Sequence, residues 1–406
     1  MRKIKDSGIE WIGAIPNDWN ICKLKNSVNI YNGNSIKDEN KMNYDDPCDA
    51  IPYIATKDIA LESHTIDYNN GMYTKKEDKA FKVAPQHSIL LCIEGGSAGR
   101  KIGFVNQDVS FINKLCCFYS KSMDNKYLFY FMQSSAFTEE FKLSLSGMIG
   151  GVSVNELKEF PLLVPNFGEQ QLISNYLDKK CAELDAIITS KEKTNALLKE
   201  RRQSIIYEAV TKGLDPTAPM KDSGIEWIGE IPEHWSVIRA KYFATINNGT
   251  DPKTEGDIPV YGSGSESFKT CGEYKEGPCV LLGRKGATLH IPHFIEGKYW
   301  NVDTAFDVKT DESICLLKYY YYASICFDYQ LYISTTTLPG MTQSNYGNMF
   351  LPIPDTDEQE SIVLGLEALL LDVDMLIETN NSTIEKLKEY RQSVIYEAVT
   401  GKAEII

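Results

Sequence analysis

The strongest constraint on this chain is that most of its organisation is written twice. Lys5 to Trp19 reads KDSGIEWIGAIPNDW and Lys221 to Trp235 reads KDSGIEWIGEIPEHW, with twelve of fifteen positions identical at an offset of 216. A second pair, RQSIIYEAVTKG (Arg202–Gly213) and RQSVIYEAVTGK (Arg391–Lys402), lies 189 apart. The same 189 relates PNFGEQQLI, from Pro165, to PDTDEQESI, from Pro354. The order is therefore lead, variable body and closing segment, twice, with the second body shorter by 27 residues, 216 less 189. Repetition of a whole supersecondary plan fixes the architecture before any single element is considered.

The closing segments read as long helices. Leu172, Ile173, Leu177, Leu184, Ile188, Leu198, Ile206 and Val210 recur at helical spacing, as do Ile362, Leu366, Leu370, Val373, Ile377, Ile384, Val394 and Val399. No proline interrupts either run, and Gly213 followed by Pro216 stops the first in the usual order. A helix from Glu169 to Thr211 would be about 64 Å long at 1.5 Å per residue. One apolar stripe of that length needs a partner, and the two segments are each other's obvious one, as a coiled coil. The second body must lead from the end of one helix to the start of the other. At about 115 residues, its radius of gyration is near 13 Å, too small to run back along the helix, so the pair should be antiparallel. Asn195, Asn380 and Asn381 interrupt the stripes. They are either a register device or, as their polar flanks favour, solvated gaps. If the halves are related by a pseudo-twofold axis, each lead packs beside a helix end, and Trp11, Trp19, Trp227 and Trp235 are the apolar anchors of those joints.

The bodies share a frame. ILLCIEGGSAGRKIGFV (Ile89–Val105) parallels VLLGRKGATLHIPHFI (Val280–Ile295), each a strand, a glycine-rich turn carrying Arg and Lys, and another strand. KYLFYFMQ from Lys126 parallels KYYYYASI from Lys318 as a packed helix, and GGVSVNEL from Gly150 parallels GMTQSNYG from Gly340. Neither turn has the G-x-x-x-x-G-K-[ST] order of a nucleotide loop. Both present cations, Arg100 and Lys101 in one and Arg284 and Lys285 in the other, in a setting that suits phosphates and guanine edges.

Composition narrows the function classes. The ten cysteines are irregularly spaced and show no disulfide framework. Cys271, Cys279, His290 and His293 lack the spacing of a zinc module and read as buried thiols and loop histidines. No signal peptide and no apolar run of membrane length is evident, so a cytoplasmic chain is expected. The net charge of −14 looks wrong for a nucleic-acid binder, but residues 351–406 alone carry 12 acidic against 4 basic side chains. Local basic faces on the bodies remain open. Methyltransferase, serine-hydrolase and zinc-protease motifs are absent. Asp67, Glu77 and Lys79 echo a metal nuclease only loosely and have no repeat equivalent.

The two DSGIEWIG leads, the two P…EQ…I helix starts, the two RQS-IYEAVT helix ends and GRKGATL…W-VDTAF (Gly283–Phe306) together resemble the specificity subunit of type I restriction–modification systems, over essentially the whole chain. The resemblance implies an α+β protein of two mixed α/β target recognition domains joined by two long antiparallel coiled-coil helices. The boundaries on this reading are 1–163 for the first recognition domain with its lead and 164–213 for the first helix. The second domain with its lead occupies 214–352 and the second helix 353–406. Each domain would read one half of a bipartite, asymmetric double-stranded DNA site. The helices would fix the spacing and dock two methyltransferase subunits, with motor-nuclease restriction subunits joining for cleavage. S-adenosylmethionine, ATP and magnesium would belong to those partners, and this chain would be non-catalytic and hold no cofactor. Lys57, Arg100, Lys101, Arg284, Lys285, Gln343 and Asn345 are the candidate DNA contacts, and Arg202, Tyr207, Arg391 and Tyr396 the candidate partner contacts. The competing readings are a bivalent protein-binding scaffold, suggested by the acidity, and a self-sufficient modification enzyme, against which the motif search weighs.

Overall fold

The computed structural model describes residues 2–37, 39, 44–145, 150–286, 288–333 and 340–405. The chain divides into two compact units, one made of residues 1–190 with 383–406 and the other of residues 191–382.

In the first unit β1 (Ile4–Asp6) and β2 (Ala14–Pro16) form the lead hairpin, and β3 (Asn20–Lys23) follows. The body comprises β4 (Asn29–Asn32), β5 (Ala50–Ile54), β6 (Tyr73–Lys75), β7 (Val83–Ala84), β8 (Ile89–Cys92), β9 (Ile102–Phe104), β10 (Val109–Phe111) and β11 (Leu115–Tyr119). They make two four-stranded sheets, ordered β6-β5-β10-β7 and β4-β11-β8-β9. The second sheet is covered on both faces, which is why its central strands are apolar without alternation. Ile89, Leu91, Cys116 and Phe118 point into the core shared with the helices, and Leu90, Cys92, Leu115 and Cys117 into the core shared with the other sheet. The adjacent cysteines thus face opposite ways, and both are buried. The chain continues through α1 (Asn125–Gln133), α2 (Ser135–Leu143), α3 (Val154–Leu157) and β12 (Pro161–Val164), which pairs with β3, into α4 (Phe167–Lys212).

The second unit repeats this plan strand for strand. β13 (Met220–Asp222) and β14 (Glu230–Pro232) are the lead hairpin, and β15 (Ser236–Arg239) follows. The body contains β16 (Ala244–Asn248), β17 (Ile258–Tyr261), β18 (Lys269–Cys271), β19 (Lys275–Glu276), β20 (Cys279–Gly283), β21 (His293–Ile295), β22 (Lys298–Asn301) and β23 (Ala305–Thr310). The sheet orders β18-β17-β22-β19 and β16-β23-β20-β21 match those of the first body, including the single parallel pair in each, β5 with β10 and β17 with β22. Then come α5 (Leu317–Ile325), α6 (Gln343–Asn348), β24 (Phe350–Ile353) paired with β15, and α7 (Thr356–Val399).

α4 has 46 residues, about 69 Å at 1.5 Å per residue, and α7 has 44. Each begins at a side-chain cap. Asn166 Oδ1 accepts from the Glu169 amide at 3.0 Å and Asp355 Oδ1 from the Glu358 amide at 2.8 Å. Each ends at a glycine with positive φ, +73° at Gly213 and +70° at Gly401, where a side chain would be strained. Each unit holds the first half of one helix against the second half of the other. In the first, Ile173, Leu177 and Cys181 share a core with Val394, Ile395, Ala398 and Val399, and Asp185 pairs with Arg391 at 3.0 Å. In the second, Ile206, Ala209 and Val210 pack with Ile362, Leu366 and Leu370, and Arg202 pairs with Asp374 at 2.8 Å. There Asn195 meets Asn381 while Arg202 meets Asp374, so one number falls as the other rises and the helices are antiparallel, as expected.

The polar interruption differs from the favoured expectation. Asn195 is not a solvated gap but is 6% exposed. Its amide donates to Asn381 Oδ1 at 2.8 Å and its carbonyl accepts from Asn380 at 3.0 Å, while Lys191 donates to Asn380 at 3.1 Å. The amide layer acts on register, because a shifted pairing would leave the buried Asn195 without its partners.

The repeated words now have physical roles. Trp19 and Trp235 are 0% and 1% exposed. Their indole N–H groups donate to Glu169 at 3.1 Å and Glu358 at 3.0 Å. The neighbouring Gln170 accepts from the Asp124 amide at 2.9 Å and donates to the Pro165 carbonyl at 2.9 Å. Gln359 accepts from the Leu316 amide at 2.7 Å and donates to the Pro354 and Ile314 carbonyls at 2.9 and 2.8 Å. E-Q at the helix start therefore fastens both the lead and the cap of α1 or α5. Tyr127 and Tyr319, buried in those helices, each bridge two carbonyls, of Leu163 and Val399 and of Pro352 and Val210. Among the described residues no helix is long and apolar enough to cross a membrane.

Candidate nucleic-acid interface

In each body one end of the helix-facing sheet gathers the loops. In the first these are the chain after β4, the β8–β9 turn, the approach to β11 and the segment before α3. In the second they are the chain after β16, the β20–β21 turn, the approach to β23 and the segment before α6. Backbone hydrogen bonds give an internal ruler for comparing the two. Ile93 N donates to Lys114 O at 3.0 Å, and Arg284 N to Thr304 O at 2.8 Å. Val152 N donates to Ile93 O at 3.0 Å, and Met341 N to Arg284 O at 2.9 Å. Glu94 bridges Gly151, and Lys285 bridges Gly340. Gly33 and Gly249 occupy matching places because their chains press against backbone: a Cβ on either would overlap a carbonyl oxygen, that of Phe111 or Val302.

Four of the seven candidate DNA contacts, Arg100, Lys101, Arg284 and Lys285, lie on these loops, Gln343 and Asn345 lie in the first turn of α6 beside them, and Lys57 is tied to one of them. Lys57 and Arg100 are exposed. Lys101 is part-buried, and its ammonium donates to the Thr56 carbonyl at 2.9 Å. It is a strut that ties the β8–β9 turn to the short helix carrying Lys57. The counterpart strut in the second body is Thr288, whose hydroxyl donates to Ser263 O at 2.9 Å. Arg284 is half-buried, donates to Asp303 O at 3.3 Å and lies over the Phe306 ring at 5.9 Å. Lys285 is exposed. The amides of Gln343 and Asn345 donate to Ile246 O and Tyr332 O, both at 2.7 Å, and so brace the loop end around α6.

The ruler sets the two turns in register. Arg100 and Lys101 end their turn, just before β9, whereas Arg284 and Lys285 begin theirs, just after β20. The residues that share a backbone position are Ile93 with Arg284 and Glu94 with Lys285. Sequence reasoning also missed Lys114, an exposed cation at the same loop end. Behind the loops, burial pushes the Cys92 thiol up from its usual range and the Cys117 thiol up to about 11, so both stay neutral.

The four candidate partner contacts are engaged inside the chain. Arg202 and Arg391 pair with Asp374 and Asp185 across the helices. Tyr207 donates to Ile228 O at 3.2 Å, and Tyr396 to Trp11 O at 2.9 Å, each pinning a lead to a helix end.

Comparison with known proteins agrees with this geometry. A family model described as the type I restriction modification DNA specificity domain matches residues 16–200 and again 232–388. The type I restriction enzyme MjaVIII specificity subunit of Methanocaldococcus jannaschii is 22% identical, across 96% of this chain and 94% of the relative. The EcoBI specificity subunit of Escherichia coli is 21% identical, across 99% of this chain and 90% of its own. A chain from a structure concerned with complex assembly and conformational transition of the type I R-M system superposes with a TM-score of 0.71 at 15% identity, covering 96% of this chain and 99% of the other.

Proposed function

Because the chain belongs to the type I restriction–modification DNA specificity family, we propose that each of its bodies reads one half of a bipartite, asymmetric DNA site. One observation carries this reading. The same backbone scaffold is built twice, down to individual hydrogen bonds, yet the side chains it presents at the loop end differ. Two unlike readers on one scaffold are what an asymmetric split site requires. Lys57, Arg100 and Lys114 in the first body and Arg284 and Lys285 in the second supply the phosphate and base contacts. Lys101, Gln343 and Asn345 hold the loops that present them.

The long helices set the gap and dock two methyltransferase subunits. Exposed apolar side chains support a docking role: Leu172 and Ile187 on α4, and Leu364, Leu371 and Met375 on α7. Arg202, Tyr207, Arg391 and Tyr396 contribute by holding the geometry those faces need. Restriction subunits join the same assembly. S-adenosylmethionine, ATP and magnesium act on the partner subunits, and this chain supplies address rather than chemistry. The bodies are mildly acidic, residues 221–350 carrying 16 acidic against 11 basic side chains, which fits a complex in which the partners provide much of the phosphate neutralisation.

The test is a footprint of the chain with its methyltransferase partner, combined with single-molecule mapping of the methylated sites. Two protected half-sites of different sequence at fixed spacing are expected. A single contiguous site, or none, rejects the reading.

A further inference from the structure

The hydrogen-bond ruler singles out one position at which the two readers are chemically opposite. The geometry points to Glu94 and Lys285 as a matched pair of base-reading residues, Glu94 accepting from the N4 amine of a cytosine in the first half-site and Lys285 donating to O6 and N7 of a guanine in the second. The inference rests on the DNA-reading function proposed above and deepens it.

The equivalence is geometric. Each residue is the second after a central strand, β8 or β20. Each forms the bridge to a glycine, Gly151 or Gly340, that precedes a capped short helix. The residue before each donates to the approach of the next central strand, at 3.0 and 2.8 Å, and accepts from the far loop, at 3.0 and 2.9 Å. Backbone held on both sides gives the side chain a fixed origin, as a specificity residue needs.

Both side chains are exposed, and neither the carboxylate of Glu94 nor the ammonium of Lys285 has a hydrogen-bond or ion-pair partner among the described residues. Glu94 lines a notch of about 360 Å³ with Asn32, Asn113 and Ser153, a polar rim at the loop end. A carboxylate brought up to DNA is repelled by phosphates and by every acceptor on a base edge. It is favoured only where the edge offers a donor without an adjacent acceptor on the same base. Cytosine N4 meets that condition in the major groove, whereas adenine sets N7 beside N6, and guanine and thymine offer acceptors. An ammonium at the same place has the reverse preference, for guanine O6 and N7.

The experiment uses the full chain in complex with its methyltransferase partner, on a duplex library randomised across both half-sites, read by methylation mapping. With Glu94→Ala, one position of the first half-site should lose its requirement for cytosine, by about tenfold or more. The second half-site and the spacing should stay unchanged. Lys285→Ala should do the converse at one guanine of the second half-site. The intact half-site in each variant reports that the protein is folded. An unchanged motif overturns the inference, as does relaxation at a base other than cytosine or guanine respectively. Sequence-independent loss of methylation at an unaltered melting temperature also overturns it. A wild-type complex with no bipartite motif at all would instead remove the function on which the inference rests.

Discussion

The same substitution, Gln to Leu, at Gln170 and at Gln359 should cost different amounts, and the structure says which is larger. Both side chains are buried, at 2% and 0% exposure. Leucine keeps approximately the volume and removes the amide, so the groups the amide served are left buried. Gln359 serves three, the Leu316 N–H and the Ile314 and Pro354 carbonyls. Gln170 serves two, the Asp124 N–H and the Pro165 carbonyl. An unsatisfied buried group costs about 1–3 kcal/mol, which gives about 3–9 kcal/mol for Gln359→Leu and about 2–6 kcal/mol for Gln170→Leu. The apolar gain from leucine is nearly equal in both and cancels in the difference. The Ser174 hydroxyl still holds the Asp124 carboxylate at 2.9 Å in the Gln170→Leu variant but does not serve the N–H. A protein of two units need not melt in one step, so the assay should be local. Hydrogen exchange at the Asp124 and Leu316 amides reads each cap directly. Loss of protection should be greater at Leu316 by about fivefold or more, the equivalent of about 1 kcal/mol. Equal losses, or a larger one at Asp124, would refute the assignment of these glutamines as fasteners of the helix caps.

Three further outcomes are expected. Asn195→Leu should destabilise the helix pair by about 1 kcal/mol through the loss of its hydrogen bonds with Asn380 and Asn381. Replacing all three asparagines with leucine should restore stability in denaturation while broadening the gap in the methylation map. Burial first and Arg391 second push the His64 imidazole down to about 4 from its ordinary 6.5. The unfolded chain therefore takes up the proton first as pH falls, and the contribution of neutral His64 is full above about pH 6.5 and lost between there and about 4. His64→Asn should reduce the drop in melting temperature between pH 7 and pH 5. Changing Lys57 and Arg100 together to Glu should weaken binding to all sequences and lower the salt dependence of log K by about one unit per phosphate contact removed, with the second half-site preference intact.

How much of this was legible in the sequence depended on whether the signal was local. The helix starts were readable because a proline and E-Q repeat in both copies, and the helix stop at Gly213 because glycine takes a conformation that other residues avoid. Trp19 and Trp235 were legible as joints because so large an apolar ring, kept at the same place in both leads, gains most when it is packed away from water. Asn195 was misjudged because its partners, Asn380 and Asn381, are remote in sequence, and polarity alone does not distinguish hydration from mutual pairing. The register of the two glycine-rich turns was not legible for a related reason. Glycine-rich turns accept shifts of several residues, so shared letters do not fix position, whereas bonds to Lys114 and Thr304 do. The parallel pairing of β5 with β10 lies between short strands far apart in the chain and left no periodic trace.

The division of the long helices between units has a consequence for biosynthesis. Residues 191–382 are contiguous and contain everything their core uses, including both helix segments packed there. The other core waits for Val394, Ile395, Ala398 and Val399, which the ribosome makes only after the whole of that contiguous stretch. The half translated later should therefore be the first to close, leaving the earlier one with an open apolar trench until the end of α7 arrives to fill it.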